Sequence, residues 1–286
     1  VTVTANDKLV LFILSIDAGA WGKAFPLRLC PHGTRPQPPG GGGGGCPRAG
    51  TECRSERASH GMSHGAWCWE QSFIPYFEKL GYACIAINLP GHEIPGNKKA
   101  IHYSLGDYVN ALSKTVDTLA EDPILIGHSM GGMILQKYLI KGRCKKAILL
   151  ASVPPSGVLL PSFRVLVNYP GGLKYLFQAN LLGVFRKYPT LMFGSNPDTA
   201  QYVDNLCTES FWAYLQLMIP LRQVRKGIPC LVMGGTDDQL ISVEECKQTA
   251  RVYGAELALM AGGSHDLMLD MNAGHYVDRI YAWLMQ

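Results

Sequence analysis

The stretch ILIGHSMGGMI, residues 124–134, places Ser129 between glycines at the junction of two apolar runs. PILIG has the composition of a buried strand, and GMILQKYLIKG has the length and spacing of a helix. One interpretation is a nucleophile held on a strained turn between the two elements. The other is a glycine-rich connection that contains a serine without chemical purpose. The rest of the chain has to distinguish them.

Strand-like and helix-like segments alternate from residue 66 onward. Short apolar runs read as buried strands, and longer segments with helical spacing of apolar residues separate them. The strand-like runs are YACIAINL, PILIG, KAILLAS, CLVMGG and AELALMAGG. The alternation predicts the fold class α/β, with a mostly parallel central sheet and helices on both faces.

Residues 156–225 interrupt this alternation. They lie between two predicted strands and are much longer than a connection needs. They hold 11 of the 27 aromatic Phe, Trp and Tyr residues of the chain. We expect a helical lid over the carboxyl ends of the strands, inserted in a core formed by 60–155 and 226–286. In the alternative interpretation, most of these aromatic residues only fill a small core within the lid.

The first 59 residues are atypical. Residues 8–16, KLVLFILSI, read as a strand, whereas residues 25–59 contain six consecutive glycines and clustered prolines and predict a disordered segment. The beginning of the chain also fits a minimal signal peptide, although its charged region is thin. Nine cysteines without a CxxC pair indicate reduced thiols, and we expect a cytoplasmic location.

Composition excludes several classes of function. A net charge of +4 with scattered basic residues does not predict a nucleic-acid surface. The sequence contains no run of 18 apolar residues, so it does not predict a membrane-spanning helix. The glycine run lacks the GK[ST] that follows in a phosphate-binding loop. These patterns leave the oligomeric state open.

The stretch GHSMG, residues 127–131, fits the G-x-S-x-G nucleophile elbow between a strand and a helix. A serine hydroxyl needs a base and an orienting carboxylate, which follow it in the order acid, then histidine. Two aspartates follow the strand CLVMGG, of which we favour Asp238 over Asp237, and His265 follows the last strand. The sequence predicts Ser129 as nucleophile, Asp238 as acid and His265 as base.

An acyl-transfer site also needs two backbone N–H groups that bind the developing oxyanion. We expect them from Met130, directly after the nucleophile, and from Met62 in HGMSHGAWCW, residues 60–69. Other histidines are expected to stay outside the chemistry: His32, His128 and His275.

The motifs HGMSHGAWCW, LPGH, GHSMGG, GTDDQLIS and GSHDLMLD together resemble the α/β-hydrolase superfamily over residues 60–286. The likeness is to its small esterase-like branch, which includes the plant methylesterase and hydroxynitrile-lyase group and bacterial hydrolases. We expect a site without cofactor or metal, and the resemblance implies that His64 lies at its entrance. We also predict substrate contacts for two lid residues, Phe211 and Trp212. By position, the resemblance implies the same triad and oxyanion residues that the motifs predict: Ser129, Asp238, His265, Met62 and Met130.

The chain departs from the family pattern before His60. Family members run an apolar strand directly into this turn, whereas TECRSERAS precedes it here. We interpret residues 8–16 as the missing inner strand, separated from its loop by a foreign insertion within 17–59, such as untrimmed non-coding sequence. The alternative is an edge hairpin over residues 1–16 and no inner strand.

These observations predict a serine hydrolase that cleaves a small to medium apolar carboxylic ester through an acyl-enzyme. Members of the resembled superfamily that act as dehalogenases or epoxide hydrolases normally carry a carboxylate nucleophile at the elbow. The serine at this position therefore argues against both chemistries. Two alternatives remain: an acid–base lyase of the hydroxynitrile type, and a non-catalytic ligand-binding protein derived from a hydrolase.

Overall fold

A computed structural model of the chain describes residues 8–13, 63–64, 67–87, 89–92 and 102–286. Within these residues, six strands form one sheet in the order β2-β1-β3-β4-β5-β6, and every neighbouring pair is parallel. The predicted α/β fold class is therefore confirmed. The strands are β1 (Lys8–Ile13), β2 (Tyr82–Ile87), β3 (Ile124–His128), β4 (Lys146–Leu150), β5 (Cys230–Gly235) and β6 (Glu256–Met260).

Helices separate the strands from β2 onward, and several pack directly on the sheet. Helix α4 contacts β3, α11 contacts β5, and α2 contacts β2. The helices are α1 (Trp67–Glu70), α2 (Phe73–Lys79), α3 (Leu105–Asp117), α4 (Met130–Leu139), α5 (Leu159–Asn168), α6 (Leu173–Phe177), α7 (Leu181–Lys187), α8 (Thr190–Phe193), α9 (Thr199–Asn205), α10 (Phe211–Leu217), α11 (Val243–Tyr253) and α12 (Ala273–Leu284).

Local sequence signals explain where two of these helices begin. Ser104 caps α3, and its hydroxyl accepts from the N–H of Asp107 while the Asp107 carboxylate accepts from the N–H of Ser104. Ser242 and Glu245 form the same reciprocal pair at the start of α11. Each pair satisfies two N–H groups that the first helical turn leaves without partners.

Strand β1 lies inside the sheet, between β2 and β3. Both of its edges are paired and Val10 is fully buried, so the expectation of an inner strand is confirmed and the edge hairpin is wrong. The structure gives the strand as Lys8–Ile13, whereas the sequence predicted 8–16. The predicted disorder of 25–59 and the insertion within 17–59 lie outside the described residues.

Helices α5 to α10 occupy the long connection between β4 and β5. Their segment is the one predicted to form a lid over residues 156–225, and the division of the chain into lid and core stays a prediction. Within the described part of the chain, no helix is both long and apolar enough to cross a membrane.

Candidate active site

Ser129 sits on a strained turn between β3 and α4. Its φ of 51° and ψ of −119° are backbone angles that residues with a Cβ rarely adopt. The turn is held on both sides, because the Ser129 N–H donates to the Leu150 carbonyl at 3.0 Å and Val153 donates to the Ser129 carbonyl at 3.1 Å. The serine is thereby fixed at the carboxyl end of the sheet.

The flanking glycines are required by close packing. A Cβ on Gly127 would lie 2.7 Å from the carbonyl oxygen of Gly131, and one on Gly132 would lie 2.1 Å from the Ser152 hydroxyl. Such distances are far below van der Waals contact, so α4 can approach β3 and the residues after β4 only because Gly127 and Gly132 lack side chains.

Two loops bring His265 and Asp238 to Ser129. His265 Nε2 lies 2.9 Å from Ser129 Oγ, and His265 Nδ1 lies 2.8 Å from Asp238 Oδ2. The other carboxylate oxygen of Asp238 accepts from the N–H groups of Leu240 and Ile241, which hold the carboxylate in place. The three side chains form one continuous hydrogen-bonded chain, and all three residues are buried.

Asp237, the alternative acid, takes a different position. It is exposed, and its carboxylate accepts from the Thr236 hydroxyl at 2.9 Å. The structure therefore brings Asp238 rather than Asp237 to the imidazole.

The electrostatics of the site favour a charged His265. Burial lowers the pKa of this imidazole, but the negative charge and hydrogen bond of Asp238, assisted by Asp266, outweigh burial and leave the pKa above its ordinary value of 6.5. An imidazole that is stabilised when protonated is suited to taking a proton from a serine hydroxyl.

A second buried carboxylate lies behind the imidazole and was not singled out from the sequence. Asp266 Oδ2 lies 3.1 Å from His64 Nε2, and Asp266 Oδ1 lies 3.5 Å from His128 Nε2. His128 Nε2 is also 3.1 Å from the carbonyl oxygen of His265. This cluster ties the turn at residues 63–64 to the His265 loop. The place of Asp266 directly after His265 in GSHD does not reveal these contacts, because its partners lie far away in the chain.

The surroundings of this cluster lower the pKa values of His128 and Asp266. Burial, and then the neighbouring His265, lower the pKa of His128 to about 3, so His128 is neutral at pH 7. Burial raises the pKa of Asp266, but His64 above all, and then the other two imidazoles, hold it below its ordinary value. Ligand atoms of His128, His265 and Asp266 lie within 4.8 Å of one another, the one such grouping in the described residues. Within this grouping, His128 Nε2 lies 3.5 Å from Asp266 Oδ1, while the ring nitrogens of His265 contact Asp238 and Ser129.

Ser129 and His265 open onto an apolar cavity of about 100 Å³. Its walls come mainly from the connection between β4 and β5. Residues of that connection that line it include Val158, Pro161, Ser162, Val165, Leu166, Leu176, Leu181, Val184, Phe185, Met192 and Tyr214. An apolar cavity that ends at a serine and a histidine can hold an apolar substrate against them.

The remaining predicted residues have varied positions. Met130 is buried and begins α4 directly after Ser129, while Met62 lies outside the described residues. His64 is buried and packs its ring against Trp67 and Phe193. It does not line the cavity.

Two aromatic residues predicted to contact substrate also do not line the cavity. Phe211 is half-buried, and Trp212 is 54% exposed. Tyr214 of the same helix lines the cavity instead, because the helical turn carries that position inward and Trp212 outward. Of the other histidines, His275 is exposed on α12, and His32 lies outside the described residues.

A parallel sheet with a strained serine at one strand end, joined to a histidine and an aspartate from two later strand ends, defines a class of α/β enzyme folds. A sequence model of the Alpha/beta hydrolase family matches residues 59–275. The match covers most of the chain, which therefore belongs to this family.

Individual relatives match a shorter stretch. Norfluorocurarine synthase 1 of Strychnos nux-vomica is 34% identical over 110 residues, which is 36% of this chain and 40% of that protein. Methylesterase 1 of Arabidopsis thaliana is 30% identical over 109 residues, covering 36% of this chain and 41% of the relative. The chain thus matches less than half the length of these curated relatives.

Solved structures show the same fold over a larger share of the chain. An esterase (EaEST) from Exiguobacterium antarcticum superposes with a TM-score of 0.61, covering 77% of this chain and 87% of that one. Sequence identity over that superposition is 17%, so the likeness concerns the fold alone.

Proposed function

We propose that this chain is a serine hydrolase that cleaves a small to medium apolar carboxylic ester through an acyl-enzyme. The observation that carries the proposal is the hydrogen-bonded chain from Ser129 through His265 to Asp238, which opens onto an apolar cavity. Membership of the Alpha/beta hydrolase family and similarity to a methylesterase support ester hydrolysis.

In the first half-reaction, Ser129 Oγ attacks the ester carbonyl carbon while His265 Nε2 accepts the hydroxyl proton. Asp238 keeps the other ring nitrogen protonated and stabilises the imidazolium that forms. The backbone N–H groups of Met130 and Met62 are assigned to the oxyanion of the tetrahedral intermediate. The carbon–oxygen bond to the alcohol then breaks, and His265 returns its proton to the leaving oxygen.

In the second half-reaction, water replaces the alcohol. His265 accepts one proton from the water as its oxygen attacks the acyl carbon, and the second tetrahedral intermediate collapses by breaking the bond to Ser129 Oγ. The proton passes from His265 to that oxygen. The products are the carboxylic acid and the free serine.

The cavity walls support an apolar substrate. Their side chains are almost all hydrocarbon. The two hydroxyl groups among the residues of the β4–β5 connection satisfy each other, because the Tyr214 hydroxyl donates a hydrogen bond to Ser162 Oγ at 2.8 Å. We assign the helices that supply most of these walls to the lid over residues 156–225, which shields the bound ester from bulk water.

Labelling by an alkyl fluorophosphonate tests the proposal. We expect one adduct per folded chain, mapped to Ser129 and absent from Ser129→Ala and His265→Ala. Ser162→Ala is the matched control, since Ser162 lines the same cavity without contacting a base and its loss should leave the adduct intact. No adduct on folded protein, or an adduct on another serine, would overturn the proposal.

A panel of esters and cyanohydrins then separates the chemistries that share this site. Acid and alcohol as products, lost in Ser129→Ala, support hydrolysis. Aldehyde or ketone with cyanide, and no ester turnover, would replace hydrolysis by a lyase reaction. Tight binding without any turnover would identify a binding protein.

A further inference from the structure

Helix α5 exposes a row of large apolar side chains. Leu160, Phe163 and Val167 are 71%, 65% and 62% exposed. Their spacing of three and then four residues places them on one face of the helix. The opposite face also is apolar, because Pro161 and Val165 line the cavity in front of Ser129. A helix that is apolar on both sides is typical of one that is covered on both sides.

Helix α10 repeats this pattern beside α5. Trp212, Leu215 and Ile219, the last just beyond the helix end, have the same spacing and are 54%, 37% and 59% exposed. The two helices are neighbours, since the Tyr214 hydroxyl of α10 donates a hydrogen bond to the Ser162 hydroxyl of α5. We call the six exposed residues the outer apolar face: Leu160, Phe163, Val167, Trp212, Leu215 and Ile219.

The N-terminal end of α5 is also fixed to the end of α10. The N–H of Val158 donates to the Leu217 carbonyl at 2.9 Å, and the N–H of Leu221 donates to the Pro155 carbonyl at 2.8 Å. The outer apolar face therefore lies on two helices that hydrogen bonds hold side by side.

The segment that carries α5 is basic. Residues 156–197 contain no aspartate or glutamate, but they contain Arg164, Lys174, Arg186 and Lys187. Arg164 is neutralised by Glu245, at 2.9 and 3.1 Å. Lys174 and Lys187 are exposed and have no acidic partner among the described residues.

We propose that the outer apolar face docks on an anionic lipid surface. Apolar side chains and a tryptophan can enter the boundary between headgroups and hydrocarbon, while lysines pair with anionic headgroups. A second copy of the chain is a poorer occupant, because its own segment 156–197 would add lysines and arginines to the interface and no acidic residue.

Docking gives α5 a second role at the site. One face of this helix would lie in the lipid boundary while the other lines the cavity that ends at Ser129. An apolar ester dissolved in the surface would then lie one helix away from the nucleophile. This link to catalysis rests on the proposed function, whereas docking itself does not.

Flotation with lipid vesicles tests docking separately from chemistry. The full chain and Ser129→Ala should bind equally to vesicles of phosphatidylcholine mixed with phosphatidylserine, and much more weakly to phosphatidylcholine alone. Phe163→Ser should weaken binding about tenfold through lost apolar burial. Lys174→Gln should weaken it about fivefold, the contribution typical of one cation near an anionic surface.

Two control variants carry matched changes at the opposite end of the sheet. Lys141 is exposed just beyond the C-terminal end of α4, a helix that rises about 15 Å from its start next to Ser129. Met285 is 58% exposed beside Leu284, whose carbonyl accepts from Lys146 at the beginning of β4. Lys141→Gln and Met285→Ser should leave binding unchanged.

Unchanged circular dichroism would establish that each variant is folded, and Val167→Ser replaces Phe163→Ser if that variant does not fold. Docking is overturned if the protein does not bind the mixed vesicles, or binds neutral vesicles equally well. It is also overturned if sedimentation shows a dimer that Phe163→Ser dissociates, since the face would then belong to a second copy. Loss of fluorophosphonate labelling with retained flotation would contradict the proposed function and leave docking intact.

Discussion

Asp238→Asn changes the hydrogen bonding at the centre of the site without changing its shape. Asp238 Oδ1 accepts from Leu240 and Ile241 at 2.7 and 2.9 Å, so the asparagine oxygen should keep this position and its NH2 group should face His265. An NH2 group donates, which forces Nδ1 of His265 to accept and moves the ring proton to Nε2. That nitrogen then donates to Ser129 Oγ, 2.9 Å away, and no longer accepts its proton.

The expected loss follows from removing the base in this orientation. The wrong tautomer at an otherwise intact Ser–His–Asp site costs about 10⁴-fold in rate. At about 1.4 kcal/mol per factor of ten, the transition state loses about 5.5 kcal/mol. The assays are kcat/KM for a short-chain nitrophenyl ester and the second-order rate of fluorophosphonate labelling.

Asp237→Asn is the matched control for this substitution. Asp237 is exposed and its carboxylate contacts the Thr236 hydroxyl, so we expect both rates to stay within about twofold. The reasoning is refuted if Asp238→Asn keeps its rate within about tenfold of the unaltered protein, or if Asp237→Asn loses more than Asp238→Asn.

Further predictions concern protonation, packing and the buried cluster. Labelling needs neutral His265, whose pKa Asp238 raises against the effect of burial, so the rate should fall on the acid side with a midpoint above pH 6.5; a midpoint at or below 6.5 would contradict this. Gly132→Ala forces a Cβ against Ser152 and should lower the free energy of unfolding in urea by about 2 kcal/mol, whatever the gain in helix propensity. Asp266→Asn should cost about 2 kcal/mol at pH 7. Because the folded-state pKa of Asp266 is lowered, its contribution is present above pH 3.8 and disappears as pH falls through the lowered pKa, so urea unfolding of the variant should depend less on pH below 3.8.

The parallel sheet and the meeting of three site residues were accessible from sequence because both depend on short-range signals. Gly127 and Gly131 around Ser129 reflect one tight turn, which leaves its mark within five residues. Asp238 and His265 each follow a strand, and carboxyl ends of parallel strands share one edge of the sheet. Their convergence needed only the order of the elements.

Long-range side-chain packing was not accessible in the same way. The position of Asp266 depends on His64, which lies far away in the chain, and on His128 from a third element. No local pattern distinguishes such an aspartate from one that caps a turn. Likewise, the aromatic content of α10 predicted substrate contacts, but only the docking of this helix on α5 determines that Tyr214 turns inward and Trp212 outward.

The central claim, that Ser129 becomes acylated during ester cleavage, is tested most directly by trapping the intermediate. A nitrophenyl ester mixed with the full chain and quenched with acid within the first turnover should release a burst of nitrophenol. Intact and peptide masses should then show one acyl group on the peptide that contains Ser129, and Ser129→Ala should give neither burst nor adduct. Ester turnover that persists in Ser129→Ala, or turnover by the unaltered protein with no acyl group on Ser129, would contradict the account.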